Sequence, residues 1–420
     1  MSHGRPALHD LAPHSPLWIR TGIMLAALCA SAVCAPKPSD EHTPVTNRPP
    51  ITSPKGTLSI PHRIEYGLND FMHFYAAGKL CGTRDLYTPQ RALQEEMKAT
   101  GYYGPTLLVV RLPYFALLLS PFAHLPYRIA YIAFQALSIL AVFAFIGMQS
   151  NWDERMRALV VCFTSFPLIL SICLGQDITF VMLLIAVLMR YWDAKPGLAG
   201  VALAFCTVKY NLFLFMPLVL LLHWRRRLAI SLLITGSALA VVSFAVAGPT
   251  WPQQYIEQLR SSSDVPTVMP NIRALLLGTQ HPVLYSILAS AVVSVFAILA
   301  LVRCRHNLPL CTAIALTAGI LVTLRVHVQD CAILVPLLLL LWNNRSRKVI
   351  VGLVWALLMP VPYVFRLMNG DLAGSIQFLL LLFIASAAIL GSSAITVEAP
   401  EGSTGQLAAT GREEVRFRPV

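Results

Sequence analysis

The chain has 420 residues, of which 56% are hydrophobic and only 12% charged, with a mean hydropathy of +0.65. Soluble domains carry about 25% charged residues, so a single globule with an apolar inside and a polar outside is excluded. The net charge of +12 arises from 32 Lys and Arg against 20 Asp and Glu. Without any motif that mixes aromatic and basic residues, this excess reads as the loop bias of a multispanning membrane protein, not as a nucleic-acid footprint.

The first apolar run, 18–35, follows Arg5 and Arg20 and ends in "CASAVCA". It is either a leader peptide or an uncleaved first helix, and the helix is the reading adopted because the rest of the chain is itself membrane-embedded. Residues 36–61 are rich in Pro, Ser and Thr and read as an extended linker. Then comes "NDFMHFYAAGKL", with Phe71, Phe74, Tyr75 and Leu80 spaced as an amphipathic helix lying on a membrane. Asp70 at its start is either an N-cap or a general base on a low-dielectric surface. Asp85, in "RDLY", reads as a turn residue.

"RLPYFALLLSPFAHLPYR" is long enough to tempt as a span, but Pro113, Pro121 and Pro126 break it. It reads as a re-entrant or juxtamembrane element, a conformation tolerated at membrane depth only against protein or a cavity. Apolar runs follow at about 127–148, 156–174, 178–192, 197–208, 212–222, 228–247, 283–302, 310–324, 332–342, 349–365 and 373–390. With the first run they predict about twelve transmembrane helices, several of them short. The expected organisation is therefore residues 1–35 as N-terminus and first helix, 36–126 as an outer-face loop, 127–391 as a multispan domain and 392–420 as a disordered cytoplasmic tail.

"NWDERMR", "RYWDAKP", "HWRRRL", "RCRHN" and "NNRSRK" carry the basic charge and are expected in the cytoplasm. They alternate with "GQD", "TVKYN", the 248–282 loop and "RVHVQD", which alternation sends to the outer face together with the first loop. Most of the nine cysteines lie in apolar runs, and Cys81 stands alone in the first loop, so all read as small apolar residues.

The polar clusters on that outer face hold the candidate residues. Lys209, between two short apolar runs, must snorkel or find an anion. Gln176 and Asp177 either cap the next helix or join a site. Asn271 and Arg273 lie in "MPNIRALLLG", and Arg111 and Arg273 are candidates for a phosphate clamp or else plain solvated arginines. Arg325, His327, Gln329 and Asp330 sit together in "RVHVQD". His327 with Asp330 suits phosphate or sugar hydroxyls, or else completes a helix end. There is no G-x-S-x-G, H-E-x-x-H, paired-cysteine or glycine-rich phosphate motif. A nucleotide-sugar or ATP therefore has no visible site, and a lipid-linked donor suits a membrane-embedded pocket better.

At this point the sequence resembles glycosyltransferase family 87 (the DUF2029 family). The resemblance rests on the order of "DFMHFYAAGKL…DLYTP", "LPYFALLLSPFAHLPYRIAYIAFQ", "LGQDITFVMLLI", "TVKYNLFLFMPLVLLLHWRRR", "MPNIRALLLG" and "VHVQDCAILVPLLLLL". The family often has a Tyr-Pro-Pro element before its re-entrant helix, whereas this chain has "YYGPTLLVVRLPYF" around Tyr102 and Tyr103. The resemblance implies an all-α GT-C fold, similar to polyprenol-phosphate-mannose-dependent mannosyltransferases. It implies an active site at the outer face of the cytoplasmic membrane and a polyprenyl-phosphate-sugar donor, with a glycan or glycolipid as acceptor. Asp70 then matches the catalytic base. Lys209, Arg111, Arg273 and His327 are expected at the donor phosphate, and Tyr75, Gln176, Asn271, Gln329 and Asp330 at the sugar or acceptor. The visible residues require no metal and leave a divalent cation open. The rival readings are a transporter or flippase of lipid-linked sugars, which would bind at the midplane between repeated halves, and a non-catalytic assembly subunit.

Overall fold

The computed structural model describes residues 70–101, 111–261, 269–277, 279–342 and 348–361. The predicted first helix, the 36–61 linker, Tyr102 and Tyr103, the 373–390 run and the C-terminal tail lie outside the described residues. Among them the chain is helical throughout, without strands. In chain order the helices are α1 (Asp70–Lys79), α2 (Pro89–Thr100), α3 (Pro113–Ala123), α4 (Tyr127–Gly147), α5 (Trp152–Thr164), α6 (Phe166–Leu174), α7 (Ile178–Tyr191), α8 (Pro196–Phe205), α9 (Met216–Leu222), α10 (Arg226–Ala247), α11 (Trp251–Ser261), α12 (Ile272–Leu276), α13 (Pro282–Arg303), α14 (Leu308–Val322), α15 (Leu334–Trp342) and α16 (Lys348–Leu358). Two 3-10 segments interrupt them, Cys206–Phe213 between α8 and α9, and Val328–Ile333 before α15.

Length and composition qualify α4, α10 and α13 to cross a membrane, and the pair α5–α6, bent by 65°, forms a fourth candidate. Only 6% of the apolar window of α10 and 11% of that of α13 is buried inside the protein. Leu233, Ile234 and Val241 on α10, and Val283, Ile287 and Leu299 on α13, stand exposed. A soluble protein cannot present such a belt to water, so these faces meet lipid. The other apolar runs appear as helices of 7 to 15 residues, short of a span by themselves, and the expected count of twelve spans is not carried by helix length. The sequence places the breaks. Pro113 opens α3 after an extended Leu112, Pro167 sits in the first turn of α6 after the cap Ser165, and α8 and α9 also have Pro in their first turns. Proline suits a first turn because it has no N–H to leave unsatisfied.

The helix carrying Asp70 departs from expectation. Instead of lying on a membrane with one wet face, α1 is buried from Phe71 to Gly78, and only Lys79 is exposed. It packs against α2, α3 and α4. Phe71 stacks at 5.0 Å from Phe134 and at 5.8 Å from Tyr131, and Phe74 meets Phe115 edge to face at 5.2 Å. Small residues (Ala76, Ala77, Gly78) on its other side admit a neighbouring helix, which is why no face remains for solvent. The broken run after it is a short helix, α3, followed by a turn into α4.

Gly319 decides how closely the 3-10 segment approaches α14. A Cβ there would lie 2.2 Å from the carbonyl oxygen of Leu212, inside any allowed contact. Gly319→Ala is expected to push Cys206–Phe213 off α14 and to cost about 1–3 kcal/mol. The check is a thermal melt in detergent beside Gly236→Ala, where an added Cβ meets nothing within 4 Å.

Candidate active site

Five chain breaks converge on one charged network. Asp70 opens α1, Arg111 stands two residues before α3, Gln176 and Asp177 form the turn between α6 and α7, Lys209 lies in the first 3-10 segment, and Gln329 and Asp330 in the second. The turn is possible because Gly175 takes φ 65° and because its missing Cβ, 2.7 Å from that of Phe71, lets α1 lie directly on it. Lys209 has φ −120° and ψ 43°, a non-helical conformation that turns its side chain out of the helical ladder. Irregular backbone of this kind persists at membrane depth only when protein surrounds it.

The Arg111 fork grips Asp177 with both arms, Nε to Oδ2 at 2.6 Å and Nη2 to Oδ1 at 3.1 Å. Lys209 Nζ donates to Asp330 Oδ1 at 2.7 Å, stands 3.4 Å from Asp177 Oδ1, and reaches Gln176 Oε1 at 3.5 Å. Asp330 Oδ2 accepts the backbone N–H of His327 at 2.9 Å. Asp177, Lys209 and Asp330 are 1%, 3% and 2% exposed. Isolated charges at such depth would be prohibitive, and pairing plus hydrogen bonding is what makes them tolerable. Burial works against the Asp177 carboxylate, but the Arg111 and Lys209 charges and their hydrogen bonds outweigh it and hold its carboxyl below the usual carboxylate range. A carboxyl depressed in the folded state stabilises the fold above its unfolded pKa and ceases to as pH falls through the folded one. The melting temperature is therefore expected to drop on acidification below the ordinary carboxylate range, and Asp177→Asn to blunt that drop, measured in detergent from neutral to acidic pH.

Asp70 stands apart from this balance. Its Oδ2 accepts from Gln176 Nε2 at 2.6 Å and from Gln329 Nε2 at 3.2 Å, both neutral amides. Among the described residues no cation pairs with it. The charges of Arg111 and Lys209 cancel those of Asp177 and Asp330, so the formal surplus of this group is the Asp70 carboxylate. It is also only partly buried, whereas both glutamines are 6% exposed. Two donors on one oxygen orient the carboxylate and leave Oδ1 to accept a proton.

The structure thus joins Asp70, Arg111, Gln176, Lys209, Gln329 and Asp330, six of the residues singled out in the sequence. Lys209 does not snorkel, and the anions it meets in the structure are the two aspartates. Asp177 precedes α7 but makes no side-chain cap, because its oxygens serve Arg111 and Lys209. Asp330 does complete a helix start through His327 N–H while also holding Lys209. Asp85 is a turn residue, 3.4 Å from Arg91 Nε. Three expected residues lie elsewhere. Tyr75 donates its hydroxyl to the Leu125 carbonyl at 2.8 Å. Asn271 is fully buried, caps α12 by accepting from Ala274 N–H at 3.0 Å, and donates to the Thr323 carbonyl at 2.9 Å, so both ends of its amide serve the fold. Arg273 follows on α12, half-buried. The His327 side chain is exposed at the rim of the network.

Sequence reading missed the buried pair of His73 and Glu96, Nδ1 to Oε1 at 2.6 Å, which ties α2 to α1. A glutamate one turn after Ala92, on the buried side of α2, was the available signal. It was also silent on Tyr87, whose hydroxyl donates to the Arg111 carbonyl at 2.7 Å and so steadies the residue that clamps Asp177. Among the described residues, no three of His, Cys, Asp and Glu are arranged to hold a metal ion. Seven cysteines fall within them, six buried and Cys81 half-exposed.

A helical protein with a lipid-facing belt and a carboxylate poised on a buried, charge-balanced scaffold has the makings of a membrane-bound group-transfer enzyme. The chain belongs to glycosyltransferase family 87, which matches it over residues 113–326, half its length. It is therefore a membrane glycosyltransferase. Gln176, Asp177 and Lys209 fall inside the matched region, whereas Arg111, Gln329 and Asp330 lie just beyond its ends and Asp70 lies well before its start. No curated protein and no solved structure matches the chain.

Proposed function

We propose that this glycosyltransferase has a GT-C architecture and moves a hexosyl unit, mannosyl in the first instance, or a pentosyl unit. The donor is a polyprenyl-phosphate-sugar, and the acceptor is an envelope glycan or glycolipid at the outer face of the cytoplasmic membrane. Asp70 is the general base. Its Oδ1 takes the proton of the acceptor hydroxyl as that oxygen attacks the anomeric carbon. The bond from that carbon to the lipid phosphate breaks on the opposite side, so configuration inverts and polyprenyl phosphate leaves. The observation that carries this reading is the partly exposed Asp70 carboxylate, held by Gln176 and Gln329 beside four paired charges that cancel.

Arg111 and Lys209 act on the departing phosphate as pre-oriented charges, already screened by their aspartates. His327, exposed at the rim, meets the phosphate directly. Gln176, Gln329 and Asp330 hold sugar hydroxyls. The lipid tail lies against the apolar belt. The outer-face assignment rests on charge. Asp177 precedes α7 while Arg190 sits in its last turn, so the network and the basic loop occupy opposite ends of one helix, and the basic end belongs in the cytoplasm.

The test supplies purified enzyme in detergent with radiolabelled polyprenyl-phosphate mannose, or with the same sugar on a nucleotide, and a membrane lipid extract as acceptor pool. Label passing from the lipid donor in wild type but not in Asp70→Asn is the expected result. Transfer from the nucleotide donor alone would overturn the donor class, and equal transfer by both proteins would remove Asp70 as base.

A further inference from the structure

The end of the bundle opposite the network gathers charge of one sign. Asn211, beside Lys209, donates to the Thr323 hydroxyl at 3.3 Å, so α14 ends at the network and starts about 22 Å away, 15 residues earlier. Ser243, late in α10, accepts the Tyr114 N–H at 3.2 Å at the start of α3, so the start of α10 also lies at the far end. α7 begins at the network and runs away from it to Tyr191. Three connections therefore meet there: 192–195 before α8, 223–225 before α10 and 304–307 before α14. α8 packs on α10, and α9 on α13 and α14. The charges of Asp193, Arg225 and His306, one from each connection, all act on His223.

Six cations stand on these connections and the helix ends beside them, Lys195, Arg225, Arg226, Arg227, Arg303 and Arg305, and all are exposed. Asp193 is the one carboxylate among them, and Arg225 takes it at 2.5 Å. Arg226, Arg227 and Arg303 have no carboxylate partner among the described residues. Asp153 and Glu154 open α5, which packs on α4, α6 and α15. The lipid-facing belt runs straight into this patch. Leu221 on α9 and Ile230 and Leu233 on α10 stand exposed within two turns of Arg226 and Arg227. Trp224, between Leu221 and the arginines in the chain, is 58% exposed, as suits tryptophan at a membrane–water boundary.

Loop bias alone orients a chain and asks for no bound lipid. A patch that lacks acidic partners and is continuous with the belt asks for an anion that carries hydrocarbon. We propose that this face binds anionic phospholipids. Headgroup phosphates sit at Arg226 and Arg227, and acyl chains lie along Leu221, Ile230 and Leu233. Planar arginine forks suit phosphate oxygens, and each cation gains from the negative potential of an anionic leaflet. A soluble acidic partner would leave the apolar border unused. The proposal rests on neither the donor nor the membrane side assigned to the network.

The test is native mass spectrometry of the delipidated full-length protein with phosphatidylglycerol, phosphatidylcholine or inorganic phosphate added, with melting temperature read in parallel. Phosphatidylglycerol is expected to bind and to raise the melting temperature. Arg226→Gln with Arg227→Gln is expected to weaken that binding about 30-fold, the scale of two charges in the field of an anionic surface. Arg84→Gln with Lys98→Gln, which removes two exposed cations from the segments around α2, is expected to leave it unchanged. The rise in melting temperature should vanish at about 1 M salt, where the Debye length falls to about 3 Å, a reading that needs no variant. Equal binding of phosphatidylcholine, an equal shift with inorganic phosphate, equal weakening in the two double variants, unchanged binding in Arg226→Gln with Arg227→Gln, or a shift that survives high salt would each overturn the proposal.

Discussion

Asp70→Asn is expected to lower sugar transfer by roughly 10²- to 10⁴-fold, the contribution of a positioned general base, with the melting temperature unchanged. The substitution is isosteric. The asparagine oxygen can accept from Gln176 and Gln329 as Oδ2 does now, at 2.6 and 3.2 Å, so the α1 start and the turn after α6 keep their contacts. What is lost is the oxygen able to take a proton. Asp70→Glu sharpens the test, because it keeps the carboxylate but moves it by one methylene. A base acting at a fixed geometry should lose about 10²-fold from such a displacement. A carboxylate that merely balanced charge would tolerate it. Activity retained in Asn but lost in Glu would point to packing rather than proton transfer, and the assignment of Asp70 would fall.

Lys209→Met is expected to be the most damaging single change to the fold. It keeps the length of the side chain but removes the only cation that touches both Asp177 and Asp330 among the described residues, at 3.4 and 2.7 Å. Breaking a buried pair by removing one partner costs about 3–5 kcal/mol, because a charge is left uncompensated in low dielectric. Arg111 remains for Asp177, but Asp330 keeps only the His327 N–H. Adding Asp330→Asn should recover much of the loss, since a neutral amide no longer needs a counter-charge. The measurement is the melting temperature of wild type, both single variants and the double variant, read as a double-mutant cycle. Additive losses would mean that Lys209 and Asp330 do not depend on each other as their 2.7 Å contact requires.

The order of motifs along the sequence was enough to choose a helical membrane glycosyltransferase, because composition and ordered short patterns survive without knowledge of contacts. It also picked out Asp70, Gln176, Lys209 and "RVHVQD", since polar groups between short apolar runs are costly and stand out. It misjudged the surroundings of α1. The periodicity of Phe71, Phe74 and Tyr75 is the same whether a helix floats on a membrane or is enclosed by α2, α3 and α4, and only packing distinguishes the two. Asn271 and Tyr75 were drawn into the candidate site because their residue types suit sugars, yet their bonds serve α12 and the turn before α4. Pairing partners were illegible for a plainer reason. Asp70 meets Gln329 across 259 positions, and Lys209 meets Asp330 across 121. No local pattern encodes such separations. The sequence by itself determined the class of solvent, the helical character and the residues too polar for their neighbourhood. The tertiary structure alone decided which charges cancel, and therefore which carboxylate stands outside that balance, because the balance depends on distances of a few ångströms between groups that the chain holds far apart.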